Sequence, residues 1–253
     1  MTDAAPDAAA HFVAKWQRRE PEMALAEVFC APADRARLRA WGALVHELRE
    51  AAFELSDPKV TTLKCQWWAE ELVGLAQGRS RHPVTGALAL PSLPWTPLAR
   101  ALLEQAHYDS RPADLHRALA DVSPMAQAIA ALESGLFQAP AAPADAVAVN
   151  LLLHRLPEGL QASDQARLPM NLLARHGLTA AQVAAGEGEK LLRDWAAELR
   201  AALPATTPGQ CLFRRLRTGF DEGRLKRLSS GRGFNAPPAP ASLWRAWRLA
   251  RST

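Results

Sequence analysis

The stretch ALVHELREAAFELSDPKVTTLKCQWWAEELVGLAQGRSRHPVTGAL, residues 43–88, decides the fold. It reads as two helices separated by a sharp stop. Asp34 is placed to cap the first, which runs to about Leu55. Ser56-Asp57-Pro58 ends it, because the residue before a proline is pushed out of helical geometry. The second helix spans about Val60 to Gln77 and stops at Gly78. Val60, Leu63, Trp67, Leu72 and Leu75 keep roughly helical spacing and are expected to form its inward face. Of the Trp67-Trp68 pair, only one ring is expected in the core, with Glu70 and Glu71 along an exposed edge.

The rest of the chain supports a helical protein. Its 253 residues include 52 Ala and 37 Leu, against 10 Val and a single Ile. Ala and Leu favour helix and β-branched residues favour strand, so a barrel, a sandwich or a parallel sheet is excluded on composition. Two short helices are expected at 7–19 and 22–30, making residues 1–33 an N-terminal extension. Further helices are expected near 97–108, 112–120, 124–138, 143–156, 179–202, 208–221 and 240–250. Residues 221–240, DEGRLKRLSSGRGFNAPPAP, are expected to form a mobile loop. No linker divides the chain, so residues 1–253 are read as one all-α helical bundle.

Charge is uneven. Residues 211–253 hold ten Arg/Lys and two acids, and the remainder holds 20 basic against 24 acidic residues. No nucleic-acid motif accompanies the basic segment, so no nucleic-acid partner is expected. Within it, Leu243, Trp244 and Trp247 share one helical face. They suit either a membrane interface or a last helix docked by its tryptophans. The three cysteines, Cys30, Cys65 and Cys211, are widely spaced, which fits a reducing compartment. The acidic start MTDAAPDAAAHF does not read as a signal peptide, and no apolar run approaches the ~18 residues of a membrane span. A cytoplasmic protein is expected, at most peripheral to the inner membrane.

Two clusters carry candidate chemistry. Glu47, Glu50 and Glu54 fall at i, i+3 and i+7 on one helix face, with His46 four residues before Glu50. Turned inward, they could hold divalent cations, with Glu50 as the central ligand; turned outward, they are a solvated edge. In NLLLHRLPEG, residues 150–159, His154 and Arg155 end an apolar helix just before Pro157. They suit phosphate contacts, or cations interacting with a helix C-terminus. The chain has no nucleotide-binding loop, nucleophile elbow or zinc-protease motif.

Residues 43–88 also resemble the N-terminal half of squalene/phytoene synthases. The closer likeness is to a divergent branch that includes the complex I assembly proteins with a phytoene-synthase-like domain. The matching residues are Ser56-Asp57-Pro58, Trp67-Trp68, Glu71-Leu72 and His82-Pro83-Val84. Later come Leu156-Pro157, Leu168-Pro169, Leu172-Leu173 and His176-Gly177-Leu178, then LWRAWRLAR at 243–251. The resemblance implies an isoprenoid-synthase bundle with a central cavity. In active members two Asp-rich motifs hold Mg²⁺ ions, which bind prenyl diphosphates and assist departure of diphosphate.

This chain departs from both motifs. The first lines up with Arg49-Glu50-Ala51-Ala52-Phe53, where Glu50 is the one acid. The second lines up with His154 to Gly159 and has no aspartate, with Arg155 where a metal ligand belongs. The resemblance therefore implies a non-catalytic member that binds an isoprenoid, another lipid or a protein, with Trp244 and Trp247 available to a membrane surface. The alternative is a Mg²⁺-dependent prenyl transferase that uses Glu47, Glu50 and Glu54, with His154 and Arg155 gripping phosphate.

Overall fold

A computed structural model describes residues 8–107, 110–160, 166–207 and 209–251. Among these residues the chain is all helix, with no strand. The helices are α1 (Ala10–Arg19), α2 (Pro21–Ala26), α3 (Pro32–Phe53), α4 (Pro58–Ala76), α5 (Pro83–Gly86), α6 (Trp95–Ala106) and α7 (Leu115–Phe137). They continue with α8 (Ala144–Gly159), α9 (Met170–His176), α10 (Ala180–Ala184), α11 (Glu189–Ala202), α12 (Leu212–Ser229) and α13 (Ala239–Arg251). No described helix is long and apolar enough to cross a membrane.

Proline and capping chemistry set many of the boundaries. Pro21, Pro32, Pro58 and Pro83 each open a helix, where a missing N–H costs nothing. Asp57 accepts from the backbone N–H of Lys59 at 2.8 Å, and Asp114 from that of Arg117 at 2.8 Å. Asp34 is not the cap expected of it. Pro32 already starts α3, so Asp34 lies in its first turn and pairs with Arg37 at 3.3 Å.

Three segments differ from the sequence expectation. Helix α7 runs unbroken through Pro124. An interior proline costs about 3 kcal/mol. Ala118, Val122, Met125, Ile129, Leu132 and Leu136 line one buried stripe on both sides of it, and each large apolar side chain so buried returns about 1.5–3 kcal/mol. The 179–202 stretch splits at Gly186, whose φ of 97° ends α10. The expected loop at 221–240 is helical through Ser229, because Asp221, Arg224, Leu225 and Leu228 are all buried against the bundle.

Helices α3 and α12 form the interior. On α3 nearly every residue from Leu38 to Phe53 is buried, so the helix is enclosed on all sides. It packs against α1, α4, α5, α6 and α8. Helix α12 packs against α2, α8, α11 and α13. The N-terminal extension is part of this core. Trp16 of α1 is fully buried, and its ring lies where a β-carbon on Gly42 of α3 would be. Gly219 of α12 gives way in the same manner to Leu249 of α13. The three cysteines are free thiols, all buried.

Candidate functional site

Helix α3 turns its acidic face toward α1 and α4. Glu47 is buried, Glu50 half-buried, and one ligand atom each from His46, Glu47 and Glu50 falls within a 4.8 Å group. Cations of the chain already occupy this face. Lys15 Nζ of α1 lies 2.8 Å from Glu47 Oε1 and 2.6 Å from Glu50 Oε2. Lys64 of α4 pairs with the other Glu50 oxygen. Glu54 stands apart from the pair and is held by Arg19 at 2.9 Å. Burial alone would raise Glu50, but hydrogen bonds from Lys15 and Lys64 outweigh it and hold its carboxyl near pKa 2. Burial, with Arg49 and Lys15 nearby, pushes His46 down to about 3, so its imidazole is neutral.

The two α8 candidates enter different surroundings. His154 Nε2 lies 2.9 Å from Asp221 Oδ1 of α12, and Asn150 Nδ2 donates to the other Asp221 oxygen at 2.7 Å. Burial, reinforced by Arg49, lowers His154 to about 4 despite the pull of Asp221. The pair is therefore a neutral imidazole donating to an ionised carboxylate. Arg155 faces away from it, with its guanidinium 4.9 Å from the centre of the Phe53 ring. Burial and the charges of Arg167 and Arg111 push Arg155 down to about 9.

Between these groups lies a buried ionic cluster. Glu20, at the α1–α2 junction, pairs with Arg49 of α3 and Arg217 of α12. Arg224 of α12 grips Glu22 with two bonds, of 2.7 and 2.9 Å. A second cluster joins Glu133 of α7 to Trp41 Nε1 at 3.0 Å and to Arg214 Nε at 2.7 Å. Glu20, Glu22, Asp221, Arg217 and Arg224 were not among the expected site residues. A signal exists for the last three: positions 217, 221 and 224 recur at i, i+4 and i+7, a charged stripe on one helix face.

The Trp67-Trp68 segment follows its expectation in one respect and departs in two. Trp68 is buried and Trp67 is 40 % exposed. Glu71, expected at the surface, is fully buried. It accepts from the backbone N–H of Arg81 at 2.8 Å and of His82 at 2.9 Å, and from Thr85 Oγ1 at 2.5 Å, which fixes the loop into α5. The expected inward face of α4 divides. Leu72 and Leu75 are core, while Val60, Leu63 and Trp67 are 47, 67 and 40 % exposed.

Helix α13 buries Ser242 and Ala246 and keeps its tryptophans out. Trp244 is 60 % exposed and stacks on Trp247 with ring centres 4.8 Å apart. Arg251 lies 4.9 Å from the Trp247 ring. No protein-family model and no curated protein matches this chain.

Proposed function

We propose that the chain is a divergent, non-catalytic protein of the squalene/phytoene synthase type, which binds an isoprenoid, another lipid or a protein partner. The observation that carries this reading is the Lys15–Glu50–Lys64 arrangement. A metal-diphosphate site needs carboxylates whose charge is available to Mg²⁺. Here two ammonium groups from α1 and α4 neutralise the central carboxylate, and Arg19 neutralises Glu54. An approaching Mg²⁺ meets cations at short range, which oppose it directly. The α8 positions offer a neutral imidazole and a guanidinium, neither of which adds the carboxylates that such a site requires. Binding to an apolar partner is supported by Val60, Leu63 and Trp67, which form an exposed stripe at i, i+3 and i+7 on α4. The exposed Trp244 and Trp247, beside Arg248 and Arg251, support contact with a membrane surface.

The alternative, a Mg²⁺-dependent prenyl transferase, is favoured by one observation: His46, Glu47 and Glu50 offer ligand atoms close together. Diphosphate release from farnesyl diphosphate with Mg²⁺ separates the two, with Glu50→Gln as control. The non-catalytic reading expects no release above the variant. Release that disappears with Glu50→Gln would establish the transferase instead.

A further inference from the structure

We propose that a pocket between α1, α3, α8 and the segment following α12 binds a small phosphate-type anion directly through guanidinium and imidazole groups, without a metal ion. The pocket has a volume of about 250 Å³. Arg18, Arg19, Arg49 and Arg224 line it together with His46 and His154. Among its lining residues the one carboxylate is Glu54, already held by Arg19.

Two buried side chains in this wall have unused hydrogen-bonding atoms. Arg49 Nε and Nη1 have no protein partner, nor has either ring nitrogen of His46. Arg49 is 3 % exposed and His46 1 %. A buried, unsatisfied guanidinium N–H is destabilising, and the cost is larger when the group is charged. An anion in the pocket would satisfy it. Guanidinium suits phosphate because it presents several fixed donors and keeps its charge when buried.

The pocket wall is more positive than the cluster behind it. Glu20, Glu22 and Asp221 balance Arg49, Arg217 and Arg224 in sum, but none of these three carboxylates lines the pocket. Arg18 is exposed among the lining residues and adds a further positive charge. The volume lies below the ~300–1,000 Å³ of pockets that enclose larger organic ligands. It suits inorganic phosphate or a phosphomonoester group and leaves little room for a long chain. The inference does not depend on whether the chain turns over a substrate.

Calorimetric titration of the full chain with inorganic phosphate at constant ionic strength tests it. Saturable binding is expected, weakened about tenfold by Arg18→Ala and by Arg49→Lys, the loss of roughly one charge-assisted hydrogen bond. Arg49→Lys keeps the charge facing Glu20, and Arg18 is exposed, so Arg18→Ala remains decisive if Arg49→Lys fails to fold. Vesicles of phosphatidylcholine containing phosphatidic acid are then offered as competitor. Displacement of phosphate identifies a lipid headgroup as the ligand, and no displacement identifies a soluble phosphate; both sustain the pocket. Absence of saturable phosphate binding overturns the proposal, as does binding that Arg18→Ala leaves unchanged.

Discussion

The ammonium of Lys15 lies 2.6 Å from the carboxylate of Glu50 and joins α1 to α3 at the acidic face. Together with Lys64 it stands where a cation bound by Glu47 and Glu50 would stand. Removing both lysines should therefore expose a latent metal site. In Lys15→Ala/Lys64→Ala, Mn²⁺ is expected to raise the melting temperature, while the parent chain shows no rise. Metal at a hundred times its Kd would add about 2.7 kcal/mol. An equal rise in the parent, by calorimetry, would contradict neutralisation by lysine.

Acid should lower the stability of the protein through two successive pH windows. His154 has a folded pKa of about 4, below the ordinary 6.5, so the folded state disfavours its charged form. Its contribution to stability is complete above pH 6.5 and is lost as the pH falls toward 4. Glu50, near 2 instead of 4.5, contributes fully above pH 4.5 and loses that contribution as the pH falls through about 2. Urea titrations across these windows should show His154→Gln flattening the first fall and Glu50→Gln the second. Unchanged slopes would show that neither group controls acid stability.

Glu22 and Arg224 are both buried, so breaking the pair leaves an uncompensated charge. Glu22→Ala should cost about 3–5 kcal/mol in chemical denaturation. The double variant Glu22→Leu/Arg224→Met should cost less than Glu22→Ala, because it leaves no buried charge alone.

Gly42→Ala sets two effects against each other. Alanine is favoured over glycine within a helix by about 1 kcal/mol. The added methyl group would collide with the Trp16 ring, and overpacking of this kind costs about 1–3 kcal/mol. A net loss of stability is expected, recovered in part by Trp16→Leu. A simple gain for Gly42→Ala would mean that α1 can shift away from α3.

The exposed Trp244–Trp247 stack should bring the protein to anionic vesicles at low salt. Flotation is expected to fall as salt rises, since charge attraction is screened. It should disappear in Trp244→Ala/Trp247→Ala. Flotation equal in parent and variant would assign α13 no part in it.

What the sequence made legible was local. The stop at Ser56-Asp57-Pro58 and the end at Gly78 depend on backbone chemistry within a few residues, and α4 spans Pro58–Ala76 accordingly. Helical spacing identified Val60, Leu63 and Trp67 as one face but could not say that this face looks outward. Glu71 beside Glu70 looked like a surface edge because its partners lie ten to fourteen residues on, in the loop into α5. The acids on α3 were recognised, whereas the cations that neutralise them come from α1 and α4. Asp221 was missed for a related reason. It stood where the helix expected at 208–221 met the loop expected at 221–240, and only packing on α8 places it beside Asn150 and His154.

The bond between Glu22 and Arg224 spans 202 positions of the chain. A ribosome adding roughly 5–20 residues per second needs about 10–40 s to cover that distance. Throughout that interval the nascent α2 carries its carboxylate without the guanidinium that later holds it. Burial of that charge must wait for α12 to be made. Translation therefore imposes an order on the molecule: the middle helices can assemble first, and α2, among the first helices made, gains its ionic anchor late.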